Sequence, residues 1–123
     1  MYLRLLLISA LLLPSVSFAF EPGDWVLSRW QGNQYWFPGI VQRVEGSRVT
    51  VAYDDGTSET RPISQVKHYD WTIGSRVECR WRAGNAWYAG RIVAIRGSSG
   101  TELRVFYEDG DREEISTSLC RSL

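Results

Sequence analysis

From residue 76 to residue 81 charged and apolar positions alternate without a break. Arg76, Glu78 and Arg80 fall on one side, and Val77, Cys79 and Trp81 on the other. A period of two marks a strand with one solvated and one buried face. Ala83-Gly84-Asn85 turns the chain, and a longer strand from Trp87 to about Ile95 follows. Its core candidates Ile92 and Ile95 are an odd number of positions apart, which puts them on opposite faces unless a bulge intervenes. Glu102 to Tyr107 alternates again, with Leu103, Val105 and Tyr107 on one side. Asp109-Gly110 is a hairpin signal, Arg112 to Ile115 reads as a fourth strand, and a short turn ends at Leu119. No helical period follows residue 20.

The same pattern stands fifty-one residues upstream. Gly23, Val26, Arg29, Trp30, Trp36 and Gly39 recur as Gly74, Val77, Arg80, Trp81, Trp87 and Gly90. After three extra residues, 98–100, the match continues: Val51, Tyr53, Asp55-Gly56 and Glu59 recur as Val105, Tyr107, Asp109-Gly110 and Glu113. Two copies are too few for a solenoid. Four or five short, bent strands per copy predict an all-β chain of two small barrels in tandem. The expected organisation is a first barrel over 20–68, a connector over 69–73 and a second barrel over 74–123.

The inward faces of the first three strands of each copy finish in an aromatic ring at one end of the barrel. These rings are Trp30, Phe37 and Tyr53 in the first copy, and Trp81, Tyr88 and Tyr107 in the second. Three rings around a barrel mouth can form a cage whose π-faces attract a weakly hydrated cation. Asp54 and Asp55 in the first copy, and Glu108, Asp109 and Asp111 in the second, would add charge attraction. The candidate ligand-binding residues are therefore the six rings with Asp55 and Asp109. A plainer reading also stands: a fifty-residue barrel buries little surface, and large rings can serve simply to cap its core. Trp36 and Trp87 point the other way on the second strand. They are expected to pack the barrels together, with Trp71 of the connector.

A Trp closing the first strand, an aromatic seven residues later, then hydrophobic-x-Tyr-x-Asp-Gly-x-x-Glu resembles the Tudor and Agenet modules of the Royal group. Here the motif is Trp30, Phe37 and "VAYDDGTSE", and Trp81, Tyr88 and "VFYEDGDRE". The resemblance implies SH3-like barrels and a non-enzymatic binding module for a protein or peptide ligand, with a methylated or otherwise cationic side chain as the expected target. The fourth cage aromatic often found in that group is replaced by Gly56-Thr57 and Gly110-Asp111, so each cage here is three-sided. The resemblance also brings the first and last strands of the second barrel together, and with them Cys79 and Cys120. A disulfide between them is expected.

Composition adds exclusions. Arg4 followed by the apolar run Leu5–Leu13, Pro14 and Ser17-Phe18-Ala19 reads as a signal peptide over 1–19. The run is too short to span a bilayer stably, so no membrane span is expected once it is removed, and the localisation expected is exported, periplasmic or secreted. An export context also suits a disulfide. After residue 20, thirteen basic residues face fourteen acidic ones, and neither half carries the basic excess of a phosphate-tracking surface. Nucleic acid is an unlikely partner. His68, the only histidine, lacks a neighbouring ligand set, and the acidic hairpins lack a full calcium loop. No metal, cofactor or catalytic residue is expected.

Overall fold

The computed structural model describes residues 20–123; residues 1–19, read from sequence as a signal peptide, lie outside the described residues. Each copy of the repeat folds into a five-stranded antiparallel sheet. In the first, β1 (Trp25–Arg29), β2 (Trp36–Glu45), β3 (Arg48–Tyr53), β4 (Ser58–Pro62) and β5 (Val66–His68) take the order β4-β3-β2-β1-β5. In the second, β6 (Arg76–Arg80), β7 (Trp87–Arg96), β8 (Glu102–Tyr107), β9 (Arg112–Ser116) and β10 (Cys120–Arg121) take the order β10-β6-β7-β8-β9. The described helices are single 3-10 turns of three residues.

The long second strand bends as its sequence requires. The β7–β8 register shifts between Ile92 and Ala94, so Ile92 faces Val105 and Ile95 faces Leu103; Ile92 is fully buried, but Ile95, also expected in the core, stays 39% exposed at the end of the strand. The first barrel bulges at the matching place, between Val41 and Arg43. At the crossing of the second and third strands the paired glycines are required sterically. A Cβ on Gly39 would lie 2.6 Å from the Ala52 carbonyl oxygen, and one on Gly90 2.8 Å from that of Phe106.

The first core packs Phe20, Val26, Val41, Val49, Val51, Tyr53 and Val66. The second packs Val77, Ile92, Leu103, Val105, Tyr107 and Ile115 around the Cys79–Cys120 disulfide. Leu27 and Trp71, from outside the second repeat, are buried in that same second core. The barrels therefore share a seam wider than the connector alone. Trp36 exchanges two backbone hydrogen bonds with Ser122, and Trp71 Nε1 donates to Ser122 Oγ at 3.0 Å. Thr117 Oγ1 donates to Asp54 Oδ2 at 2.6 Å. The Arg121 guanidinium lies between Tyr35 of one barrel and Trp87 of the other, 3.5 and 4.1 Å from their centroids. Trp36, Trp87 and Trp71 thus all take part in joining the barrels.

Candidate functional site: the two barrel mouths

Trp30 and Trp81 do not end strands, as alternation suggested; each opens a 3-10 turn just after its strand. The next residue in each turn is left-handed, with φ of 51° at Gln31 and 50° at Arg82. This conformation is costly for a side-chain-bearing residue. It aims a backbone N–H at a carboxylate: Gln31 N donates to Glu59 Oε2 at 2.9 Å, and Arg82 N donates to Glu113 Oε2 at 3.3 Å. The same carboxylates accept the tyrosine hydroxyls, Tyr53 to Glu59 at 2.7 Å and Tyr107 to Glu113 at 2.6 Å. One glutamate per barrel therefore fixes both the tryptophan turn and the tyrosine. This explains the Tyr-to-Glu spacing of six in the repeated motif. Burial first, and then the neighbouring glutamate, raises both phenols well above the ordinary tyrosine range, so both remain neutral hydrogen-bond donors.

Trp30 meets Tyr53 edge to face at 5.5 Å and 82°, and Trp81 meets Tyr107 at 5.6 Å and 86°. Perpendicular rings make a corner, not a stack, and each corner borders an open space. The first, about 150 Å³, is lined by Trp30, Phe37, Pro38, Tyr53, Asp55, Thr57 and Ser118. The second, about 160 Å³, is lined by Trp81, Tyr88, Tyr107, Asp109 and Asp111. All eight candidate residues from the sequence line these two mouths. Two acids expected beside them do not. Asp54 turns into the seam toward Thr117, and Glu108 pairs with Arg76 at 2.8 Å. Tyr53 and Tyr107 are buried, so they serve the core as well as the mouth.

Asp55 Oδ1 accepts from the backbone N and hydroxyl of Thr57, and Asp109 Oδ1 accepts from Asp111 N. This is turn chemistry of the side-chain-to-backbone kind. It leaves the second oxygen of each carboxylate without an intramolecular partner among the described residues. Pro38 and Ser118 were not singled out from sequence, and Glu59, Glu113 and Thr57 were noted there without a role in the mouths. The two glutamates carried a signal, as repeat identities placed six residues after a tyrosine; Ser118 belongs to the other barrel and carried none.

Residues 26–69 match the Agenet domain family. The first barrel is similar to an Agenet domain over that span. The second barrel repeats its strands and motif. Agenet domains are typically protein-interaction modules. Among solved structures, the tandem Agenet domain 3-4 of ADCP1 is similar at 14% identity and a TM-score of 0.39, covering 85% of this chain and 81% of its own. Agenet domains 3 and 4 of Arabidopsis thaliana AGDP1 are similar at 15% identity and a TM-score of 0.40, covering 85% and 83%. No curated protein matches the chain. Among the described residues no helix is long and apolar enough to cross a membrane.

Proposed function

We propose that the chain is an exported binding module whose two Agenet mouths recognise a cationic side chain, with alkylated lysine or arginine, or another quaternary amine, as the ligand class. The observation that carries this reading is the repeated corner. In both barrels two perpendicular rings, a third ring and a carboxylate with one free oxygen surround an open space. Alkylation weakens the hydration of an ammonium group, so a π-lined, half-enclosed site favours it over plain lysine. The export signal read over 1–19 supports an extracytoplasmic ligand.

The second mouth is the better binder. It carries Asp111 where the first has Thr57, and the Tyr88 hydroxyl where the first has Phe37. The burial of Tyr53 and Tyr107 favours the plainer core-capping role for those two rings, and leaves Trp30, Phe37, Trp81 and Tyr88 as the rings that close on a ligand. Calorimetric titration of residues 20–123 with dimethyllysine tests the proposal. Each cation–π contact contributes about 0.5–2 kcal/mol, so affinity is modest. Trp81→Ala is expected to abolish binding at the second mouth and leave only the weaker binding of the first, and Trp30→Ala to weaken overall binding little, with circular dichroism confirming the fold of both. A wild type that binds neither dimethyllysine, trimethyllysine nor tetramethylammonium contradicts the proposal.

A further inference from the structure

The outward face of the second barrel carries one row of directly paired residues crossing four strands. Arg76 stands opposite Arg91, Arg91 opposite Phe106, and Phe106 opposite Arg112. With strands about 4.8 Å apart the row spans about 15 Å. Phe106 is 45% exposed. The Arg112 guanidinium lies 5.5 Å from its ring centroid, and a depression of about 310 Å³ runs beside the ring, bordered by Arg76, Arg91 and Glu108.

Three carboxylates of this face are already engaged. Glu108 pairs with Arg76, Glu78 with Arg121, and Glu114 with both Arg96 and Arg104. Among the described residues no carboxylate lies within ion-pair distance of Arg91 or Arg112; Arg91 donates only to the Gly74 carbonyl, at 3.1 Å. An exposed ring therefore stands between two arginines whose charge nothing in the fold neutralises.

The same row of the first barrel is mostly apolar where that of the second is charged. There the four positions are Trp25, Ile40, Ala52 and Ser58, paired in the same way. The 99–101 loop of the second barrel shares a cleft of about 90 Å³ with Trp25 and Ile40, which stay 43% and 42% exposed. A Cβ on Gly100 would lie 2.9 Å from the Trp25 ring. This row thus borders a loop of the other barrel in one copy, and in the other it carries three arginines around an exposed ring.

We propose that the Arg91–Phe106–Arg112 row docks an extended acidic peptide segment of a partner protein, which sets an apolar side chain on Phe106 and a carboxylate on each flanking arginine. Guanidinium groups match carboxylates in a two-pronged geometry. Same-face side chains of an extended peptide recur about every 6.7 Å. Acids two residues either side of the apolar residue therefore come within reach of arginines placed one strand either side of Phe106. After residue 20 thirteen basic residues face fourteen acidic ones, so no broad positive field extends beyond the row to track a polyanion, which favours a short acidic segment.

The test uses isotope-labelled residues 20–123 and the synthetic peptide acetyl-Asp-Glu-Phe-Glu-Asp-amide. Its controls are an Asn-Gln-Phe-Gln-Asn counterpart, heparin and oligothymidylate. The acidic peptide is expected to shift amide signals around Arg91, Phe106 and Arg112 and to lose binding as salt rises. Arg91→Gln with Arg112→Gln should weaken it about tenfold, and Phe106→Ala about threefold. These three side chains are exposed, so the variants keep the fold, as circular dichroism would confirm. Trp81→Ala should leave this binding unchanged, which separates it from the cation-binding mouths. Absent or unlocalised shifts, equal binding of the neutral peptide, or tighter binding of heparin or oligothymidylate at the same row would each overturn the proposal.

Discussion

Ser28 and Val66 face each other across β1 and β5, and Cys79 and Cys120 hold the same two positions across β6 and β10. In the first barrel the pair is joined by ladder bonds alone, and the Ser28 hydroxyl reaches instead to the Tyr53 oxygen at 2.9 Å. In the second a disulfide joins them. One frame thus holds its closing strand in two ways, and its outer faces diverge with it. Trp25, Leu27 and Ile40 of the first barrel turn toward the seam, where the second barrel has Arg76 and Arg91 facing solvent and Glu78 half-buried against Arg121. The mouths diverge least. Their rings and their fixing glutamates are the same, while Phe37 is braced edge-on by Trp87 at 6.2 Å and Tyr88 stands 46% exposed. What the two copies keep in common is the geometry around the mouths; what they change is how each barrel is held and what its outer face meets.

Breaking the seam should have the largest effect on this comparison. Trp71 is 5% exposed and bonded to Ser122. Trp71→Ala should cost about 3–5 kcal/mol and turn a single thermal transition into two, measured by calorimetry. A first barrel melting on its own in the wild type, as its lack of a cross-link would suggest, is not expected, because Leu27 is buried in the second core. Reducing the disulfide, which spans 41 residues, should cost about 3–4 kcal/mol in the chain-entropy account. Chemical denaturation with and without reductant reads this, and the loss should fall on probes in the second barrel first. Removing one mouth's glutamate sharpens the comparison further. Glu113→Ala leaves the buried Tyr107 hydroxyl without its acceptor and should cost about 1–3 kcal/mol while weakening ligand binding at the second mouth alone.

The smallest expected effect concerns Asp54, whose carboxyl is raised above its ordinary value of 3.8 by burial, with the Thr117 hydroxyl partly opposing the shift. The folded state then holds its proton more tightly than the unfolded state. Its contribution to stability is present below the unfolded value and is lost as pH rises through the folded value. At neutral pH the buried charge is a cost. Asp54→Asn keeps an oxygen acceptor for Thr117 without the charge. It should raise the melting temperature slightly at pH 7, by an amount that shrinks on acidification toward pH 4.

The strands, the bulges and all eight mouth residues were legible because the chain states its pattern twice, and a spacing kept in both copies exposes the positions that alternate. The seam was legible only in its tryptophans. Its other members, Asp54 with Thr117 and Trp36 with Ser122, join positions far apart in sequence that no local period relates. Their trace was present as a mismatch between copies: Leu27 against Glu78 and Ile40 against Arg91 put an apolar residue where the other barrel has a charge. The role of Glu59 and Glu113 was hidden for a different reason. A glutamate on a strand reads as solvated surface until the left-handed turns at Gln31 and Arg82 bring a backbone N–H to it.

The most direct test of the account follows the Trp30 and Trp81 indole N–H signals together while dimethyllysine is titrated into isotope-labelled residues 20–123. Both should shift in a saturable way, Trp81 at the lower ligand concentration, while the buried Trp71 stays in place. If unmodified lysine produces the same shifts, or if Trp30 and Trp81 stay fixed throughout, the mouths are closed ends of two cores and not binding sites.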